Sequence, residues 1–244
     1  MQKILAYPLT VIYFLCFGIV LVIFHPIQWV CLRLFGYQAH QFSVSTLNLL
    51  LMGCTLILGT RYTFNNPHRL PKDKPLIIVA NHQSMNDIPP IIWYLRKQHP
   101  KFVSKIELGR GIPSVSFNLK YGGSALIDRK DGKQAIQQIA KLGSYIEVNN
   151  RSAVIFPEGT RSRDGHPKKF QTTGLKILMK KAPSALLVPI SINNSWKMLR
   201  YGSFPYGLGN HIKFQVHQPL EITGNHDDLL IKIEEKITQG VSVT

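Results

Sequence analysis

Acidic side chains are scarce in this chain, and cysteines are scarcer. Among 244 residues there are 13 Asp+Glu against 29 Lys+Arg, a formal net charge of +16, and no acidic residue precedes Asp73. The three cysteines, Cys16, Cys31 and Cys54, all fall in the first 54 positions. None remains in the rest of the chain to act as a nucleophile, close a disulfide or hold zinc. There is no HExxH, no Cys/His pair at ligand spacing and no acidic calcium loop, so no metal site is expected. The basic stretches lack interleaved aromatics for stacking on bases and no nucleic-acid motif occurs, so a nucleic-acid partner is not expected.

What the first 60 residues lack is charge: Lys3 and Arg33 are their only charged side chains. Ile4 to Phe24 is an uncharged run of 21 residues, and a helix needs roughly 20 to cross the hydrocarbon core of a bilayer. No small-x-small site follows it, and it is longer than the apolar region of a secretion signal, so cleavage is not expected. Leu47 to Thr60 is shorter, a length that suits a buried, interfacial or re-entrant helix. Pro26, Gly36 and Gln38-Ala39-His40-Gln41 interrupt the two. A two-helix membrane-embedded hairpin over residues 1–62 is therefore expected, with Trp29 at headgroup level. Arg61, Arg69, Lys72 and Lys74 follow the second stretch while Arg33 alone lies between the two. That bias places the remainder, residues 63–244, on the cytoplasmic face. Once Lys3 and Arg33 are set aside, 27 basic and all 13 acidic residues lie beyond Thr60. Such an excess suits a phosphate-bearing ligand or an anionic membrane.

From Leu76 onward, short apolar runs alternate with longer periodic segments, the pattern of an α/β fold with a mostly parallel or mixed sheet flanked by helices. Strands are expected at Leu76–Ala80, Lys101–Ser104, Ser124–Ile127, Ser152–Phe156, Leu186–Ile192 and Ile212–Val216. Helices are expected at Ile91–Leu95, Asp131–Val148, Gly174–Lys181 and Ile231–Ile237.

Two strand ends carry chemistry. Asn81-His82-Gln83-Ser84-Met85-Asn86-Asp87 closes the first strand. A spacing of five puts His82 and Asp87 on a common face of neither a helix nor a strand, so the pair meets only across a turn. If it does, the carboxylate holds the imidazole in one tautomer and His82 becomes a general base. The alternative is that Asp87 only caps the helix announced by Pro89-Pro90. Ser84 lacks the flanking glycines of a nucleophile elbow. Phe156-Pro157-Glu158-Gly159-Thr160-Arg161-Ser162 closes another strand. There Gly159 permits a tight turn, Thr160 offers a hydroxyl, and Arg161 a planar fork for phosphate oxygens. Glu158 is expected to hold Arg161 or to accept from a substrate hydroxyl. Lys105 and Arg129, at two further strand exits, would join Arg161 in a positive funnel for an anionic head group.

In their joint order, Asn81-His82-Gln83-Ser84 with Asp87, Gly123 through Ile127-Asp128-Arg129, Phe156 to Ser162 and Val188-Pro189-Ile190 resemble the four motifs of the glycerolipid acyltransferase superfamily. The likeness is to its bacterial 1-acyl-sn-glycerol-3-phosphate acyltransferases. It extends to Lys105-Ile106-Glu107-Leu108 and to the N-terminal two-helix segment. It implies an inner-membrane enzyme that moves a fatty acyl group from acyl carrier protein or coenzyme A to the 2-hydroxyl of lysophosphatidic acid, with no further cofactor. His82 would be the base and Asp87 its partner; Lys105 and Arg161, with Arg129, would bind phosphate; Glu158 and Gly159 would shape the acceptor site. Leu126 stands where the family often has Phe. A sister enzyme with another acceptor, and a non-enzymatic membrane-tethered binder of anionic ligands, stay open at this point.

Overall fold

The computed structural model describes residues 2–243. Its first element, α1 (Gln2–Cys54), is one long helix broken at Gly36, which takes φ 78°, ψ −167°. That backbone region is essentially reserved for glycine. The limb before Gly36 runs straight through Pro26, and the limb after it begins ten residues ahead of Leu47, so both are longer than the apolar runs suggest. One turn before Pro26, the Leu21 carbonyl accepts from Ser114 Oγ at 2.6 Å, and His25 Nδ1 accepts from the Ser114 amide at 3.0 Å. The body thus braces the helix where proline weakens its own ladder. The two limbs share an apolar cluster of Leu21, Phe24, Leu47 and Leu51. A 3-10 turn, Thr55–Leu58, ends at Gly59, which caps it in the left-handed conformation.

Eight strands follow: β1 (Arg61–Asn65), β2 (Leu76–Ala80), β3 (Pro100–Lys105), β4 (Ala125–Ile127), β5 (Ser152–Ile155), β6 (Leu186–Asn193), β7 (His211–Val216) and β8 (Leu220–Glu221). They form one mixed sheet in the order β1-β7-β6-β2-β5-β3-β4, with β8 beside the start of β6. β6, β2, β5, β3 and β4 run parallel, and β7 and β8 are antiparallel to β6. The central strands β2 and β5 are buried along their whole length, as strands covered on both faces must be. Helices α2 (Ile88–Tyr94), α3 (Val115–Tyr121), α4 (Gly132–Asn149), α5 (Thr173–Lys181) and α6 (His226–Gln239) complete the chain.

Two apolar cores flank the sheet. On one face α4, α5 and α6 bury Ile139, Leu142, Ile146, Leu175, Leu178, Ile233 and Ile237 against Ile77, Val79 and Ala153. The other face receives Ile91, Ile92, Leu95 and, from α1, the fully buried Tyr13. Three elements were absent from the expected set. β1 alternates exposed and half-buried positions, β8 has two residues, and α3 has seven and starts without a side-chain cap.

Candidate active site

β2, β5, β3 and β4 are adjacent and parallel, so their C-terminal ends lie on one edge of the sheet. Crevices at such edges are where α/β folds place their ligands. His82 follows β2, Glu158 to Arg161 follow β5, Lys105 ends β3, and Arg129 comes two residues after β4. All the residues singled out above converge on that edge.

The turn after β2 brings His82 and Asp87 together. His82 Nδ1 lies 2.8 Å from Asp87 Oδ2, with 14% of the His82 side chain exposed and none of the Asp87 side chain. The same oxygen accepts from the Gln83 amide at 2.7 Å and the Ser84 amide at 2.9 Å. Ser84 Oγ in turn accepts from the Asn86 amide, completing a capping box on the 3-10 turn Met85–Asp87. Capping and histidine contact are therefore not alternatives: one carboxylate oxygen does both. Because Oδ2 accepts from both amides, Nδ1 fits as the donor to it, and in that tautomer of the neutral ring Nε2 is the acceptor. The ring stacks on Phe156, centroids 4.2 Å apart and planes at 16°, which restricts its rotation.

Ser84 is fully buried and hydrogen-bonded to Ser195 Oγ, so it cannot reach a substrate. Asn81 makes a two-way clamp with Ile192, donating to its carbonyl and accepting from its amide. Gln83 accepts from the Ser195 amide at 2.9 Å and donates to the Gly165 carbonyl. These partners lie more than 80 residues away in the chain, so no local pattern announces them.

The turn after β5 is stitched to the same histidine. His82 N donates to Glu158 Oε1 at 2.8 Å, and the His82 carbonyl accepts from the Ser162 amide at 2.8 Å. Glu158 Oε2 accepts from the Lys168 amide at 3.0 Å. Glu158 is only 4% exposed; burial raises its carboxyl above the usual range, and the two amides oppose that. The carboxylate braces the backbone and makes no ion pair with Arg161 among the described residues, so of the two roles expected for it the hold on Arg161 is not formed. Gly159 takes φ 68°, the left-handed conformation that lets the turn close. Thr160 Oγ1 accepts from Lys168 Nζ at 2.8 Å, and the same ammonium donates to the Arg161 carbonyl. Lys168 thus organises the turn, a role not read from the sequence.

Lys105, Arg129 and Arg161 are exposed and take part in no ion pair among the described residues. Arg161 lies close enough to Tyr206 to counter the rise that burial imposes on that phenol. The edge therefore offers the outer imidazole nitrogen and, at neighbouring strand exits, exposed cations that take part in no ion pair among the described residues.

The family model for Acyltransferase matches residues 61–193, which spans β1 to the end of β6 and includes every residue of this edge. The chain belongs to the Acyltransferase family. Relatives within it include a 1-acyl-sn-glycerol-3-phosphate acyltransferase of Helicobacter pylori, 36% identical over 133 residues, 51% of this chain and 54% of that protein. A chloroplastic 1-acyl-sn-glycerol-3-phosphate acyltransferase of Brassica napus is 29% identical over 174 residues, 70% of this chain and 48% of that one. The matches thus span about half the length of these curated relatives. The crystal structure of the 1-acyl-sn-glycerophosphate (LPA) acyltransferase PlsC from Thermotoga maritima superposes with a TM-score of 0.82 at 23% identity. The superposition covers 98% of this chain and 96% of that chain. This Acyltransferase family member therefore shares its fold from the long apolar N-terminal helix through the mixed sheet.

Proposed function

We propose that the protein is a membrane-bound acyltransferase that moves a fatty acyl group from a thioester of acyl carrier protein or coenzyme A to the 2-hydroxyl of 1-acyl-sn-glycerol-3-phosphate, giving phosphatidic acid. The observation that carries this reading is the 2.8 Å contact of His82 Nδ1 with a fully buried Asp87, which leaves Nε2 free at a cationic sheet edge. The names of the relatives support the choice of acceptor.

In this reading His82 Nε2 takes the proton of the acceptor hydroxyl as its oxygen attacks the thioester carbonyl. Asp87 stabilises the imidazolium that forms. The tetrahedral intermediate then collapses, the carbon–sulfur bond breaks, and the thiolate recovers the proton from His82. An acyl-enzyme has no support: the cysteines lie in α1 and Ser84 is sealed. Direct transfer in a ternary complex follows. Arg161, Lys105 and Arg129 hold the phosphate. No cofactor is required beyond the acyl thioester. Residues 1–62 bind the membrane phospholipid bilayer, and residues 63–244 form the acyltransferase body on the cytoplasmic face of the inner membrane.

The test is a lipid-product assay with purified protein, acyl thioesters and a panel of acceptors: lysophosphatidate, glycerol-3-phosphate and lysophosphatidylcholine. Phosphatidate from lysophosphatidate is the expected product, with Arg161→Ala raising the acceptor KM. Acylation of another acceptor in preference, or an unchanged KM in that variant, would remove the assignment of acceptor or of Arg161.

A further inference from the structure

On the other side of the body, away from the edge that carries His82, a cleft of about 660 Å³ opens between the second limb of α1 and the end of α2. One wall is a helical stripe, Gln41, Phe42, Ser45, Thr46 and Leu49; the other is Trp93, Arg96, Lys97, His99 and Lys72. The 3-10 turn Arg96–Gln98 and His99 lead into the first residue of β3, whereas Lys105 ends that strand. The cleft therefore belongs to the N-terminal end of β3, and the candidate active site to its C-terminal end.

The two walls differ in chemistry. On the α1 side Phe42 is 70% exposed, which is costly for an isolated aromatic unless something apolar covers it. Lys72, Arg96 and Lys97 face it with no carboxylate in the lining, and none of the three forms an ion pair among the described residues. Arg96 is fixed rather than loose: its guanidinium lies 4.1 Å from the centre of the Trp93 ring and donates to the Trp93 carbonyl at 2.7 Å. Behind His99, Tyr37 Oη lies 3.0 Å from His99 Nδ1, and Lys101 and Arg151 each sit 4.9 Å from the centre of the Tyr37 ring. Lys101 is only 6% exposed. Burial and these two cations depress the His99 imidazole to about 4, so the back of the cleft stands in a positive field. Cations gathered on one side with no carboxylate in the lining, opposite the exposed side chains of Phe42 and Leu49 on the membrane-associated helix, match an anionic amphiphile.

We propose that this cleft is a second lipid site, which binds the phosphate of an anionic phospholipid between Lys72, Arg96 and Lys97 with an acyl chain laid along Phe42 and Leu49. The site rests on the reading of α1 as membrane-associated. A free phosphate would use the cations and leave Phe42 and Leu49 uncovered; a bilayer lipid satisfies both. Occupied in this way, the cleft would fix the height and tilt of the body relative to the lipid surface.

The test uses the full chain in neutral detergent. Acetylation of Lys97 and Lys72 is followed by mass spectrometry while dioctanoyl phosphatidylglycerol is titrated below its micelle concentration, with dioctanoyl phosphatidylcholine and inorganic phosphate as separate arms. Saturable protection by phosphatidylglycerol alone is expected. In Arg96→Gln the half-protection concentration should rise roughly fivefold, the scale of one surface cation toward an anionic lipid, and in Phe42→Ser it should rise as well. The paired control Lys213→Gln/Lys232→Gln should shift it less than about twofold. Equal protection by inorganic phosphate would overturn a lipid in favour of a free anion, equal protection by phosphatidylcholine would overturn the anionic preference, and no protection would overturn the site. If Arg96→Gln fails to fold, Lys72→Gln, at an exposed loop position, serves with Lys97 as reporter and the same prediction. Pelleting with phosphatidylcholine vesicles is measured in parallel. Loss of pelleting with protection intact would refute the membrane reading alone, and pelleting without protection would refute this site alone.

Discussion

At the scale of single residues, Asp87 carries more than one task, and its variants separate them. An asparagine there can turn its amide oxygen toward the three donors that now share Oδ2, since Oδ1 has no partner among the described residues, so the cap can survive while the negative charge that stabilises an imidazolium is lost. Asp87→Asn is expected to reduce kcat by about 10² to 10⁴-fold, measured as phosphatidate formed per enzyme, with the melting temperature little changed. An unchanged kcat would show that the carboxylate only caps. Lys101 makes a separate prediction about pH. Burial, and after it Arg151, depress its ammonium from the ordinary 10.5 to about 7. Between those values the unfolded chain binds more protons than the folded one, so stability rises as pH increases from 7. Lys101→Met should flatten the rise in melting temperature between pH 7 and about 9; an equal slope in both proteins would contradict it.

Elements show where local pattern suffices and where it does not. β2 was legible as an unbroken apolar run and β5 and β6 as largely apolar ones, and α4 because its apolar positions recur at helical spacing. β1 was not, because an edge strand with no fully buried position leaves no apolar run to read. Spacing showed only that His82 and Asp87 could meet across a turn, and the expectation that they do came from the joint order of the motifs, whereas the bracing roles of Glu158 and Gln83 depend on partners brought by the fold from distant segments. α1 illustrates the same limit. Pro26, Gly36 and Gln38 to Gln41 were all expected to interrupt the two stretches; the body supports the helix at Pro26, and the backbone leaves the helical region only at Gly36. Gly36→Ala places a side chain in a backbone region that costs about 1–3 kcal/mol, so the limbs should straighten or splay. Spin labels at Val22 and Leu50 report the distance between them, which should lengthen and broaden in the variant; an unaltered distribution would contradict the role of Gly36.

For the molecule as a whole, the N-terminal helix is part of the catalytic body as well as its apolar end. Tyr13 is fully buried in the core beneath the site, and its hydroxyl reaches Asn86 Oδ1 at 3.4 Å, beside Asp87. Thr10 Oγ1 accepts from the Tyr206 amide, and Tyr206 neighbours Arg161. The helix that carries the exposed apolar surface thus touches the histidine–aspartate turn directly and, through Tyr206, the surroundings of Arg161; under the proposed membrane reading this would hold the reacting edge in register with a lipid surface. Everything proposed for the reaction depends on His82 as the group that moves the proton. The most direct measurement is phosphatidate formation from labelled lysophosphatidate and an acyl thioester, by wild type and His82→Ala prepared to the same melting temperature. Turnover in the variant is expected to fall by at least about 10²-fold with acceptor binding retained. Turnover within a few-fold of wild type would contradict the proposed chemistry.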